Sequence, residues 1–316
     1  MANAYKHRDL YWALRGGGGG TFGVVVEVTL KTFPEPPVIV QNFNVTFPDV
    51  TSLWSFAEKY LAALPGLDDA GGSGYYYFDP VGVILQNGKP TFVGLHFFFN
   101  KTNTDVVNGV FEPLFNFAHS INGTHLVNIT FAFPQARVVY PQRGGSDGTG
   151  SNVIIGTRLY SRDTLLTSSG PQSFASALSN ITSIYPTIIQ GHLTAGGQVA
   201  RNSHIDSALN PSWRKALGEL IVPVIWMDST PAEVQAELAT GLTNTLMPIL
   251  AAVDPSMGAY TNEANPYEPE WQTVFWGTNY PRLLKVKHRW DPCGLFRCNR
   301  CVGSERWDST GNCPAL

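Results

Sequence analysis

Two periodicities alternate along this chain and divide it into helices and strands. Arg8–Leu14 reads as a compact apolar helical turn stopped at Gly16. Residues 24–33 then alternate Val24, Val26, Val28 and Leu30 with Glu27, Thr29 and Lys31, the period of a strand. Pro34, Pro36 and Pro37 break that pattern and mark a domain crossing. A strand over 38–47 follows. Next comes a helix capped by Asp49 or Thr51, with Val50, Leu53, Trp54, Ala57, Leu61 and Leu64 on one face and a stop at Pro65-Gly66. Strands are expected at 74–78, 82–86 and 91–99, the last two joined as a hairpin around Asn87-Gly88. Further helices are expected over 104–118, 171–184 and 211–220, with strands at 187–192 and 220–226. Thr230-Pro231-Ala232-Glu233 reads as a capping box opening a long helix to about residue 253. A Gly- and Ser-rich stretch at 142–151 reads as a surface loop. This irregular mixture lacks the βα alternation of a parallel sheet, so the fold class is α+β, an antiparallel sheet backed by helices.

Between the first helix and the first strand lie Arg15, five consecutive glycines, Thr21, Phe22 and Gly23. Glycine lets the backbone take positive φ and lets another molecule approach main-chain N–H groups, which suits an anion or a flat cofactor. Gly18, Gly20 and Gly23 formally satisfy G-x-G-x-x-G. The dinucleotide fingerprint, however, must follow a strand and open a helix, and here the order is reversed. No Lys followed by Ser or Thr completes a P-loop either.

The run from Asp9 through the glycines to Val24 resembles the end of the FAD-binding (PCMH-type) domain of the vanillyl-alcohol-oxidase and berberine-bridge-enzyme superfamily. A second match closes the chain: Asn279, Tyr280, Arg282, Leu283, Val286 and Lys287, then Asp291, Pro292 and Phe296, resemble the terminal berberine-bridge signature. With Gly196-Gly197, Val199 and Asn210–Arg214 between them, the resemblance covers nearly the whole chain and is nearest to fungal isoamyl-alcohol-oxidase-like proteins. It implies an FAD-dependent oxidoreductase acting on an alcohol or related C–H donor, with oxygen as acceptor. It also implies three parts: 1–36 as the end of an FAD domain, 37–255 as a substrate domain, and 256–316 returning to the FAD side.

By the same resemblance Gly17, Gly18, Gly19, Gly20, Thr21, Phe22, Gly23 and Val24 pass along FAD. Gly18→Val or Gly20→Val is then expected to abolish flavin retention in a complete homologue, and Gly16→Ala, nearer the helix end, to do less. Tyr260 and Asn262 line the flavin, Tyr260 as the candidate base, and His192 faces the substrate. Asn279 and Tyr280 cap and pack the closing helix near the cofactor. Alcohol oxidation by a flavin leaves the protein one task, removal of the hydroxyl proton. The competing readings are a packed aromatic for Tyr260 and a satisfied structural histidine for His192. No Ser stands in a G-x-S-x-G elbow, and no metal spacing is evident.

Composition narrows the picture. At 316 residues and 43% hydrophobic content the chain can bury a large core. Lys and Arg total 21 against 24 acids with no basic run, which excludes an electrostatic footprint for nucleic acid. No apolar run is long enough for a membrane span. Sequons at Asn44, Asn100, Asn122, Asn128 and Asn180 suggest a secreted glycoprotein, whereas the first residues lack a signal peptide. Together with the missing upstream pyrophosphate loop, this leads us to expect an N-terminally incomplete chain, inactive as it stands. The alternative is a non-catalytic secreted glycoprotein that keeps the fold without cofactor. Cys293, Cys298, Cys301 and Cys313 are expected to form two disulfides, with a zinc knot as rival. The expected partner is a small-molecule substrate.

Overall fold

The computed structural model describes residues 1–139, 151–308 and 313. A seven-stranded sheet runs in the order β4-β1-β3-β2-β6-β7-β5. Its strands are β1 (Val38–Thr46), β2 (Gly72–Asp79), β3 (Thr91–Phe99), β4 (His125–Phe133), β5 (Val153–Ser161), β6 (Ile189–Leu193) and β7 (Ala216–Ile225). Every neighbouring pair is antiparallel. The helices are α1 (Arg8–Leu14), α2 (Val50–Asp69), α3 (Thr104–Ser120), α4 (Arg162–Leu166), α5 (Gly170–Ile184), α6 (Gly197–Arg201), α7 (Ala232–Gly241), α8 (Met247–Ala251), α9 (Trp271–Trp276) and α10 (Tyr280–Trp290). The α+β expectation of an antiparallel sheet with helices therefore holds.

Because side chains alternate along a strand, the sheet has two chemically distinct faces. On one, Phe43, Phe78, Phe92 and Phe98 pack under Phe56 of α2, Phe111 of α3 and Phe174 of α5 as the main core. Tyr60 OH lies 2.8 Å from His96 Nε2 on this side, and burial pushes His96 down to about 3, so it is neutral. On the opposite face the strand registers align Ile129, Asn42, Leu95, Tyr75, His192, Glu219 and Leu159 in one row across all seven strands. No α2, α3 or α5 side chain can reach this face. It is the one that carries chemistry.

The C-terminal segment closes against the N-terminal loop. Trp12 and Phe22 share a second core with Trp271, Trp276, Tyr280 and Leu283. Trp276 Nε1 donates to the Gly16 carbonyl at 3.1 Å. Lys287, only 3% exposed, donates to Thr21 O at 2.7 Å, to Asp291 Oδ2 at 2.6 Å and to Phe296 O. Burial raises the Asp291 carboxyl, but the Lys287 ammonium and the N–H groups of Phe296 and Leu295 outweigh it and hold it below the usual range.

Several expected elements take other forms. Residues 24–33 form no strand: Val24, Val26, Val28 and Leu30 are 77%, 93%, 64% and 77% exposed, because no described strand offers the segment a ladder. No strand forms at 82–86, since Asp79 takes the N–H groups of Val81, Gly82 and Ile84 into a turn. The hairpin is instead β2–β3, with 80–90 as its loop. The helix expected at 211–220 shrinks to a 3-10 turn, Pro211–Arg214, capped by Asn210. The rest joins β7, paired on both sides. α2 runs through Pro65 to Asp69, with Arg162 bonding Pro65 O and the carboxylates of Asp68 and Asp69. The capping box does not form, as Thr230 Oγ1 accepts from Met227 N instead. Strands β4 and β5 have no counterpart in the periodicity reading. The loop expected at 142–151 falls, apart from Ser151, outside the described residues. Of the two expected disulfides one is present, Cys298–Cys301, while Cys293 and Cys313 are exposed and unbridged. Two residues lie between the bridged pair, so the bond ties a single turn and not distant chain.

The Lys287 contacts carry a prediction. Replacing it by Met leaves Asp291 and two carbonyls buried without their cation, which costs about 3–5 kcal/mol when a buried pair is broken. Chemical denaturation should show that loss for Lys287→Met against almost none for exposed Lys285→Met. Equal effects at the two positions would mean the buried cation does not hold the closure.

Candidate active site

His192 and Glu219 face each other on β6 and β7, with Nδ1 and Oε1 3.0 Å apart and both side chains buried. Gln190, two residues earlier on the same face, places its amide nitrogen against His192 Nε2. A donor there makes Nε2 the acceptor and leaves the proton on Nδ1, aimed at Glu219. The Tyr75 ring stands edge-on to the imidazole at 4.9 Å. Above this row a 3-10 turn, Thr261–Glu263, brings the Glu263 carboxylate within 3.7 Å of His192 Nδ1. Burial, then the charge of Glu219, push Glu263 up to about 7 against the pull of His192. Oε2 of Glu219 and Oε2 of Glu263 take no hydrogen bond from another group, and the protonated Glu263 carboxyl bonds to Glu219, which raises it further. The three ligand atoms lie within 4.8 Å of one another. With a direct hydrogen bond between two of them, the arrangement reads as an acid–base cluster.

Tyr260 opens the same turn, and its phenol oxygen accepts from Asn262 Nδ2 at 2.7 Å. Its ring stands edge-on to Trp213 at 5.6 Å. At positions three apart on a 3-10 turn, Tyr260 and Glu263 share one side. The structure thus brings His192 and the 260–263 turn together and adds Glu219 and Glu263, which the sequence reading missed. A signal existed for Glu219: it is the one charge within the apolar run of β7, and an isolated buried charge demands a partner. Nothing in the spacing marked Glu263.

Asn279 and Tyr280 stand apart from this cluster. Asn279 makes no side-chain cap and donates to Leu209 O at 2.8 Å. Tyr280 OH donates to Glu305 Oε2 and accepts from Gly303 N, and burial, then Glu305, raise its phenol well above the usual range.

The glycine loop divides into an inner and an outer part. A Cβ on Gly16 (φ +147°) would stand 2.1 Å from Leu209 N, one on Gly17 2.5 Å from Leu283 Cδ2, and one on Gly18 (φ +94°) 2.6 Å from Thr21 Oγ1. Thr21 and Phe22 are buried. Gly20 and Gly23 meet nothing within 4 Å, and Gly19 only Val25 at 4.0 Å. Within this chain Gly16 is the least replaceable of these glycines, because it lies against backbone. Main chain at Gly19, Gly20, Gly23 and Val24 is bare, a surface that fits a flat anionic cofactor laid along it.

Residues 259–303 match the family described as "Berberine and berberine like". An FAD-linked oxidoreductase of Arthroderma benhamiae is 47% identical over 323 residues, covering 99% of this chain and 54% of the relative. The FAD-linked oxidoreductase malF of Malbranchea aurantiaca is 35% identical over 316 residues, covering 99% and 52%. The crystal structure of the VAO-type flavoprotein MtVAO713 from Myceliophthora thermophila C1 superposes with a TM-score of 0.88 at 22% identity, covering 99% of this chain and 56% of that one, a likeness of fold. Along nearly its whole length the chain is similar to FAD-linked oxidoreductases of the berberine-bridge and VAO type, and it spans about half the length of the curated relatives it matches.

Glu263 gives this site a pH signature. Its carboxyl ordinarily titrates near 4.5 and here near 7, so the folded state holds the proton more tightly than the unfolded one. Its contribution to stability is full below about pH 4.5 and is lost as pH rises through about 7. Glu263→Gln removes that loss, so the variant should gain on the parent in melting temperature between about pH 5 and about pH 8. Parallel pH curves for the two proteins would contradict the raised value.

Proposed function

We propose that this chain forms the substrate side of an FAD-dependent oxidase in which the His192–Glu219–Glu263 cluster accepts the proton of an alcohol or related C–H donor, with oxygen as final acceptor. The observation that carries this reading is the placement of two carboxylates around one imidazole, at 3.0 and 3.7 Å from His192 Nδ1, on the sheet face opposite the helices. Bound flavin supplies the hydride acceptor. Glu263, partly exposed and titrating near neutrality, is the group poised to exchange a proton with a substrate. Glu219 and Gln190 hold the imidazole in one tautomer beside it. Tyr260, fixed by Asn262, offers a phenol on the same side for orienting a hydroxyl.

The domain reading is part of the same proposal: 1–36 and 256–316 act together on the cofactor side, and 37–255 covers the substrate. Among the described residues one bare glycine loop faces the pyrophosphate. Residues 1–316 alone are therefore expected to hold FAD below one per chain and not to turn over. The test of the reading is rapid-mixing flavin reduction in a flavin-loaded full-length protein that contains this chain. Glu263→Gln should slow reduction by about 10²–10⁴-fold without loss of bound flavin, the range typical of a lost general base. An unchanged rate would remove the cluster from the chemistry, whereas a parent protein whose flavin no donor reduces would favour the non-catalytic glycoprotein.

Secretion and glycosylation belong to the same proposal. Asn100, Asn122, Asn128 and Asn180 are exposed, whereas Asn44 sits half-buried in β1 between β3 and β4. Enzymatic deglycosylation of secreted protein should release glycans from the exposed asparagines and leave Asn44 unmodified by mass spectrometry. A glycan on Asn44 would require β1 to be unpaired when it is modified.

A further inference from the structure

β4 ends the strand order, and among the described residues it pairs only with β1. From Leu126 to Phe133 it carries no charge, no proline and no glycine. Val127, Ile129 and Phe131 on it are 41%, 47% and 50% exposed. An apolar edge of this kind is a template for a further strand, and proteins that keep one cover it. The two polar residues of the run, Asn128 and Thr130, are the ends of a sequon. Asn128 stands opposite Phe43 of the main core, so its side chain points to the helix side of the sheet. There a groove of about 580 Å³ separates β4 from α3, a size within the range of about 300–1,000 Å³ that holds small molecules. Asp105, Glu112, Asn116 and His119 line it from α3, all on one stripe of the helix apart from its buried Val107, Phe111 and Leu114. Among the described residues neither these four side chains nor that of Asn128 makes a hydrogen bond or ion pair. Thr130, by contrast, is tied: its hydroxyl lies 2.6 Å from Asn108 Oδ1 and also meets Gln41, which pins β4 to α3 at the groove. A sugar presents hydroxyl and acetamide groups that each need a partner once water is displaced. The groove offers uncommitted donors and acceptors beside the asparagine that would carry one.

We propose that the N-linked glycan of Asn128 lies in this groove and guards the free edge of β4. The step rests on the glycosylation reading given under the proposed function. The first sugar residues bond to Glu112, Asn116 and His119, and the glycan fills the space through which another strand would approach β4. Because the sugar is tethered at the groove, a weak fit is enough to keep it seated. Asn122, exposed in the turn before β4, carries its glycan into solvent and serves as the control. A second copy of the chain pairing along β4 is the rival occupant.

The test uses full-length protein that contains this chain, secreted from a eukaryotic host, with glycan release followed site by site by mass spectrometry. An endoglycosidase should release the native Asn128 glycan about tenfold more slowly than that of Asn122, because it acts only when the sugar leaves the groove, and denaturation should close the gap. Glu112→Ala combined with Asn116→Ala, two exposed positions on α3, should close the gap in folded protein whose melting curve matches the parent. In sedimentation Asn128→Gln should self-associate as its concentration rises, while Asn122→Gln behaves as the parent. Equal native release at the two sites, an Asn128→Gln protein that stays as monomeric as the parent, or a bare Asn128 beside filled sequons would overturn the assignment. So would a fully glycosylated parent that dimerises until Phe131→Ser separates it, which makes the second copy the occupant. The two readings fail separately: no glycan at any exposed sequon removes the glycosylation reading itself, whereas filled sequons released at equal rates remove the groove's role alone.

Discussion

The ammonium of Lys287 is the constraint on which the arrangement of this chain turns. Taken out of water, it has to find acceptors, and it finds them at Thr21, Asp291 and Phe296. Two of these lie on the turn after α10; the third is 266 residues earlier. Satisfying one buried cation therefore fixes the glycine loop against the closing helix. The indole of Trp276 on Gly16 O and the carboxylate of Asp9 near Arg289 and Trp290 add further ties between the two ends. With the inner half of the loop held, Gly19, Gly20 and Gly23 are presented outward as bare main chain. A rigid inner half is what gives the outer half a defined shape, which a free glycine run would lack.

The second organising fact is the period of the sheet. Antiparallel pairing makes neighbours in register point the same way, so six pairings suffice to carry one row from Ile129 to Leu159. A shift of one residue would send His192 into the helix-side core and bring Gly191 out. Gly191 could not take a side chain in any case, since a Cβ there would lie 2.0 Å from the Tyr76 ring. The aromatic core on the helix side thus locks the register that sets the polar cluster on the other side. Packing on one face determines chemistry on the opposite one.

How far the sequence could be read follows from which interactions are local. α1, α2 and α3 were legible because their apolar residues recur at helical spacing and, for α2, because Asp49 accepts from Ser52 N as a cap should. Residues 24–33 carry the strand pattern equally well and form none, since a ladder needs a second strand that the pattern cannot supply. β4 escaped notice for a related reason: as an edge strand it is exposed on both sides and shows no clean alternation. Among candidate site residues, His192, Tyr260 and Asn262 were accessible through the berberine-bridge-like resemblance, whereas Glu219 and Glu263 join them only through pairings 27 residues apart or more. Two histidines on strands either side of β2 make the point sharply. His96 and His192 look alike in sequence, yet one is neutral in an aromatic core and the other sits between carboxylates.

That contrast extends to the two buried ionic groups. At Lys287 each donor has an acceptor and Asp291 is held in its charged form, so the charges are balanced and the group serves the fold. At His192 the balance is less complete: two carboxylates share one imidazole, and burial together with Glu219 drives the Glu263 carboxyl to about 7, where its proton is held against the Glu219 carboxylate. A buried proton shared between two acids is one that can be moved at little cost, and in the proposed oxidase this group stands where the donor's proton has to go.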